Sequence, residues 1–156
     1  MGKELVRRQM IRYELLAPEH VPAVAELEQL CFSAPWSEKA IASELTNPLS
    51  LWLVALDEEQ LVGYVGSQSV LDEADMMNIA VDPRYRRNGI AQELVSALVA
   101  ALSERAVRIL TLEVRASNEP AKALYAKLGF EEVGRRFNYY RAPKEDALIL
   151  KKEWSV

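Results

Sequence analysis

The sequence predicts an α/β (α+β mixed) fold, a mixed central sheet with helices on both faces, and three observations carry it. Short segments rich in strand-forming residues recur along the chain and are interrupted by stretches of helical periodicity. One such helix follows directly on a strand through a basic, glycine-containing loop, Asp82-Pro-Arg-Tyr-Arg-Arg-Asn-Gly89. Half of the 156 residues are hydrophobic, which suits one compact domain with its own core.

The elements follow in chain order. Ile11–Leu16 alternates sufficiently for a first strand. Helical spacing then runs through Val21, Val24, Leu27, Leu30 and Cys31, with Pro22 tolerable in a first turn. Ser37 reads as the N-cap of a short helix to about Asn47, limited by Pro48. Leu49–Ala55 and Leu61–Val70 form a hairpin about Asp57-Glu-Glu-Gln60, and Gly63 and Gly66 suit a bend or a close backbone approach. Ala74–Val81 is the next strand. Beyond Gly89, residues Ala91, Leu94, Val95, Leu98 and Leu102 share one helical face. Ile109–Val114 is a strand, and Ala116-Ser-Asn-Glu-Pro120 begins a helix that Gly129 ends. Phe130–Arg141 and Ala147–Lys151 complete the order β-α-α-β-β-β-α-β-α-β-β.

The net charge of −4 and pI near 5.2 argue against direct nucleic-acid binding, so the cluster Arg84, Arg86 and Arg87 stands out as a local anion site. Strand, basic loop and helix bring unpaired backbone N–H groups and a positive helix end to one point, where a phosphate-bearing ligand fits. The loop lacks Gly-Lys-Ser/Thr, and its single glycine cannot make Gly-x-Gly-x-x-Gly. Cys31, alone in the chain, excludes an intrachain disulfide and reads as a buried structural thiol. With one histidine, His20, and no cysteine cluster, no metal site is expected. Neither a transmembrane run nor the apolar core of a signal peptide is present, so a cytoplasmic protein without membrane contact is expected. Residues 1–9 read as a disordered extension and 10–156 as the single domain.

Arg86-x-x-Gly89-x-Ala91 resembles the pyrophosphate loop of the GNAT acetyltransferases, which bind acetyl-coenzyme A (acetyl-CoA), and the element order is that of the same family. The resemblance runs from about Ile11 to the C-terminus and implies a largely antiparallel sheet. Four stretches are more specific: Pro35-Trp-Ser-Glu38, Leu71–Pro83, Leu112-Glu-Val-Arg-Ala-Ser-Asn118, and Arg135-Arg-Phe-Asn-Tyr-Tyr140 followed by Glu145-Asp-Ala147. These resemble the bacterial ribosomal-protein-alanine (Rim-type) branch, whose members acetylate the N-terminal alanine of a small-subunit ribosomal protein (number eighteen). The resemblance implies Glu113 as general base and Tyr125 as general acid. It implies cofactor contacts at Ile79, Ala80, Val81, Arg87, Asn88, Gly89, Ile90, Ala91, Gln92 and Asn118. Ala91 departs from the family, in which a second glycine is common there.

The chemistry needs such groups, because a protonated amine has no lone pair with which to attack a thioester. A peptide α-amine has a pKa near 7.7–8.0 against roughly 10.4 for lysine, so a modest base suffices for an N-terminus. Other roles stay open for the same residues. Glu113 could pair with Arg115, two residues along the strand; Tyr125 could pack with Leu124 and Leu128; Asn118 could cap its helix. Asp72, Glu73, Asp75, Glu145 and Asp146 could form an acidic rim for a basic N-terminal tail of a ribosomal protein, and Asn138-Tyr-Tyr140 could line a peptide groove. The cofactor loop is silent about the acceptor. Another protein N-terminus, a lysine, a small amine, or a non-catalytic acetyl-CoA-binding module are the competing readings.

Overall fold

The structure, a computed structural model, describes residues 10–155; the expectation for residues 1–9 lies outside them. Its strands are β1 (Ile11–Leu15), β2 (Ser50–Asp57), β3 (Gln60–Val70), β4 (Glu73–Val81), β5 (Ile109–Arg115), β6 (Glu131–Arg141) and β7 (Lys144–Glu153). Its helices are α1 (Val21–Cys31), α2 (Glu38–Glu44), α3 (Ile90–Glu104) and α4 (Glu119–Lys127). The strands form one sheet in the order β1-β2-β3-β4-β5-β7-β6, and β4–β5 is its parallel pair. The mixed, largely antiparallel sheet is therefore as expected.

Helices cover both faces because both faces carry apolar side chains. Ile90, Leu94, Val95, Leu98 and Leu102 are all at most 2% exposed and seat α3 on Leu53, Val65, Leu110 and Leu112, with Tyr125 and Phe130 in the same cluster. On the other face Val21, Val24 and Leu27 of α1 and Ile41 of α2 pack on Trp52, Val54, Tyr64 and Ala80. The strand β2 serves both clusters, and its pattern is accordingly an apolar run instead of an alternation. The Ser37 hydroxyl accepts from the Ala40 N–H at 3.0 Å, as an N-cap should.

Two irregularities shape the site. β4 and β5 pair only through Glu73↔Ile109, Ala74↔Leu110 and Asp75↔Thr111, and then part. On its other side β4 follows β3 with a register shift, Gly66↔Asn78 next to Ser67↔Met76, so Met77 is the extra residue of a bulge. Gly66 is fixed there by a close approach: a Cβ would fall inside the Trp52 indole, which stacks on Tyr64 at 5.7 Å. The Cys31 thiol is half-buried, not the enclosed thiol expected, because α1 ends there; its Sγ lies 3.9 Å from the Val81 carbonyl and 4.0 Å from Arg86.

Candidate active site

Where β4 and β5 part, a cleft of about 440 Å³ opens, lined by residues of both strands, by Asn118 and Ala121 at the start of α4 and Tyr125 in its last turn, and by Phe32, Tyr139 and Tyr140. The alternation of β5 sends Leu110, Leu112 and Val114 into the α3–α4 core and Glu113 to the opposite face. Tyr125 comes from the α3–α4 side. Glu113 and Tyr125 thus reach one cleft from the two faces of the sheet, which only a gap between strands permits.

Glu113 is not paired with Arg115. Arg136 of β6 places its Nε against Glu113 Oε2 across the intervening strand β7, while Arg115 bonds Glu145 at 3.1 Å and stacks over the Tyr140 ring at 4.2 Å. Arg136 remains just over half exposed, whereas Glu113 Oε2 is buried, so solvent screens the pair from the arginine side only. Tyr125 is 5% exposed, its ring edge-on to Phe130 at 5.4 Å, its hydroxyl 3.9 Å from Met76 Sδ. Burial pushes its phenol up to about 12. Burial, and then the Glu113 carboxylate, also push the Tyr140 phenol up.

The expected cofactor residues fall into two groups. The Asp82 N–H donates to the Val62 carbonyl at 2.8 Å, so alternate residues of β4 turn the other way: the backbone groups of Ile79 and Val81 face the gap. Ala80 directs its own to β3 and its methyl into the second core, and holds the other two in phase. The second group is the loop. Gly89 is the N-cap of α3 with φ +75°, and Arg87 before it has φ +67°. Gly89 offers no side-chain cap to the first N–H groups of α3, Ile90 to Gln92, and around the position of a Cβ there is nothing within 4 Å. Ile90 is 2% exposed with its side chain in the core, leaving its backbone for a ligand. Asn88 Nδ2 donates to the Tyr85 carbonyl at 3.0 Å and braces the turn. Arg84 is committed to Asp82, which it grips through Nε and Nη2, whereas Arg87 is exposed. An open anion-binding end of a helix, reached from an open strand edge, fits the pyrophosphate and the peptide-like arm of acetyl-CoA. Asn118 both caps α4, accepting from the Ala121 N–H at 3.2 Å, and lines the cleft.

The acids do not gather as a rim. Asp72 is tied to Arg108 at 2.7 Å beside the paired ends of β4 and β5, away from where those strands part. Glu145 is held by Arg115 and Ser117, and Asp146 by Arg135 and the Asn138 N–H. None of these, nor Glu73 or Asp75, lines the cleft. Among the described residues, no three His, Cys, Asp or Glu side chains come together to hold a metal, and no helix is long and apolar enough to cross a membrane.

Sequence reasoning missed one group. Glu28 is 1% exposed on the apolar face of α1, four residues after Val24. Its carboxylate accepts from the Trp36 N–H at 2.8 Å, from the Tyr64 hydroxyl and from Asn78 Nδ2. Burial raises its carboxyl pKa, and the Trp36 and Asn78 donors oppose that shift. A charged residue recurring at the spacing of a buried stripe is the signal that could have found it.

Comparison with known proteins shows the family and the fold. The Acetyltransferase (GNAT) family model matches residues 21–130. The [ribosomal protein bS18]-alanine N-acetyltransferase of Escherichia coli strain K12 is 42% identical over 132 residues, 83% of this chain and 88% of that protein. The enzyme of the same name from Haemophilus influenzae is 38% identical, covering 80% and 86%. The crystal structure of the ribosomal-protein-S18-alanine N-acetyltransferase from E. coli superposes with a TM-score of 0.87 at 40% identity, over 94% of this chain and 96% of that one. Arabidopsis thaliana NAA60 in complex with acetyl-CoA shares the fold, with a TM-score of 0.84 at 20% identity, over 92% and 98% of the chains.

Proposed function

The chain belongs to the GNAT family of acetyltransferases, and we propose that residues 10–156 form one domain that transfers acetyl from acetyl-CoA to the N-terminal alanine of ribosomal protein bS18 in the cytoplasm. The observation that carries the reading is the convergence of Glu113 and Tyr125 on one cleft from opposite faces of the sheet. The identity to enzymes named for that reaction supports the acceptor. Phe32, Tyr139 and Tyr140 form an aromatic wall suited to the first residues of a peptide. A basic tail beyond them would meet the exposed Asp75, though not the assembled rim that the sequence suggested.

Acetyl-CoA supplies an acetyl thioester. The N–H groups of Ile90 to Gln92 and the exposed Arg87 would hold its pyrophosphate, with Asn88 bracing the loop and Asn118 at the α4 end. The Ile79 carbonyl and the Val81 N–H would hold its arm, and the gap-facing Val81 N–H would be the donor nearest the thioester carbonyl oxygen as negative charge develops, since the Ile79 N–H is already accepted by Asn78 Oδ1. Glu113, directly or through water, takes the proton the acceptor must lose, from the α-ammonium before attack or from the amine nitrogen as the C–N bond forms and the C–S bond breaks. The departing sulfur needs a hydrogen-bond donor, and Tyr125 is placed to give one. Its phenol at about 12 is a weaker acid than a thiol at about 8.5, which makes full proton transfer to a free thiolate uphill by roughly 5 kcal/mol. Tyr125 therefore acts chiefly by donating a hydrogen bond, and the thiolate leaves to be protonated by solvent at lower pH.

The sign of the Tyr125 shift sets a prediction. With its pKa raised, the hydroxyl keeps its proton, so the wild-type rate shows no alkaline fall through pH 10 from this group. Tyr125→Phe retains the packing against Phe130 and is expected to lower kcat by about 10- to 100-fold, the worth of a hydrogen bond to a developing charge, at every pH measured. A pH–rate series on both proteins checks this. An unchanged kcat in the variant would remove Tyr125 from the mechanism, and a wild-type decline centred near pH 10 that Tyr125→Phe abolishes would mean that burial does not raise its phenol. The function itself is tested by transfer to an alanine-initiated peptide.

A further inference from the structure

The buried Glu28 carboxylate has no evident reason to be charged if it serves packing alone, since an apolar residue would fill that face of α1 better. Its three partners are all donors, drawn from three places: the α1–α2 connection at Trp36, β3 at Tyr64, and the bulged part of β4 at Asn78. Among the described residues no cation pairs with it. Asn78 links this group to the cleft, which it lines.

A side-chain amide has a donor end and an acceptor end, and one firm partner decides which end points where. Nδ2 of Asn78 is taken by Glu28, so Oδ1 is turned to the Ile79 N–H at 3.2 Å, and that N–H faces the gap between β4 and β5. The cleft is thereby offered a carbonyl oxygen and not an NH₂ group. That polarity suits an amine, which brings N–H donors. Asn78 and Glu113 lie on the two strands just beyond the last paired residues, Asp75 and Thr111, and line the same cleft.

We propose that Glu28 is a positioning residue: by holding Asn78 Nδ2 it fixes Asn78 Oδ1 as a second acceptor for the incoming α-amine, across the cleft from Glu113. The proposal rests on the acetyl-transfer reading above. One N–H of the attacking amine bonds Asn78 Oδ1 and the other Glu113, which leaves the lone pair aimed at the thioester carbonyl.

The test measures kcat and KM for an alanine-initiated peptide, the melting temperature, and the melting shift with acetyl-CoA. Asn78→Ala removes Oδ1 while Glu28 keeps Trp36 and Tyr64, and kcat/KM for the peptide is expected to fall about 10- to 100-fold with the acetyl-CoA shift retained. Glu28→Gln should lose as much, because its amide NH₂ must confront either the Trp36 N–H or Asn78 Nδ2. Combining Glu28→Gln with Asn78→Asp reverses the polarity: the glutamine amide donates to the new carboxylate, whose other oxygen faces the cleft, and most of the lost activity should return. A structural role for Glu28 alone would restore melting temperature without restoring kcat/KM. Wild-type kcat/KM in Asn78→Ala overturns the proposal, and so does a double variant that melts like wild type yet is no faster than Glu28→Gln. If Glu28→Gln alone fails to fold, the double variant is compared with Asn78→Ala instead, and a folded double variant no faster than Asn78→Ala overturns the proposal. A wild-type protein that transfers nothing to the peptide overturns the underlying reading instead, and is seen before any variant is compared.

Discussion

Glu113→Gln is expected to lower kcat for peptide acetylation by about 10²–10⁴-fold, the usual worth of a general base. The substitution keeps the shape of the side chain. It also removes the partner of Arg136, but that guanidinium is 56% exposed and can turn to water, so little stability is lost with the pair. The loss should depend on pH. With an α-amine pKa near 7.8, about 2% of the acceptor is neutral at pH 6 and about 90% at pH 9. Solution therefore does more of the work that Glu113 does as pH rises, and the deficit should narrow, provided chemistry limits turnover. Steady-state rates from pH 6 to 9, with acetyl-CoA affinity measured separately, check this. Near-wild-type kcat across that range would mean that Glu113 is only an ion-pair partner.

Gly89→Trp should abolish acetyl-CoA binding while leaving a folded protein. Apart from its own chain neighbours, no protein atom lies within 4 Å of where its Cβ would stand, so the indole enters open space beside the start of α3, where the pyrophosphate would sit. A φ of +75° costs an L residue about 1–2 kcal/mol, which a domain of ordinary stability withstands. In wild type, ligand at 100 times its Kd should add about 2.7 kcal/mol of apparent stability. Thermal melts with and without acetyl-CoA should show that gain in wild type and none in the variant. An undiminished shift in a folded variant would place the phosphate site elsewhere.

The parts of the molecule that were legible in the sequence are those set by local pattern. The order of strands and helices, the Ser37 and Asn118 caps and the Gly89 turn each depend on residues within a few positions of one another, and the structure has all of them. The shared cleft was also within reach, since Glu113 and Tyr125 follow from motifs on β5 and α4. Partners across the sheet were not. The Arg136–Glu113 pair depends on β7 lying between β5 and β6 and on register shifts within the β6–β7 pair, which no local periodicity encodes. For the same reason acids close in sequence, Asp72 and Asp75, serve different surroundings, one tied to Arg108 and the other exposed beside Met76. The bulge at Met77 and the Glu28–Asn78 contact, 50 residues apart in sequence, belong to tertiary packing and appear only once α1 is laid on the sheet.

The central claim is that this cleft acetylates the α-amine of an N-terminal alanine. The most direct test mixes the full chain with acetyl-CoA and intact, unacetylated bS18, and locates the added acetyl group by tandem mass spectrometry. The account predicts a single acetyl on the N-terminal alanine nitrogen, formed with wild type and largely lost with Glu113→Gln. Acetyl found only on lysine side chains, or no transfer by a protein that demonstrably binds acetyl-CoA, would contradict it.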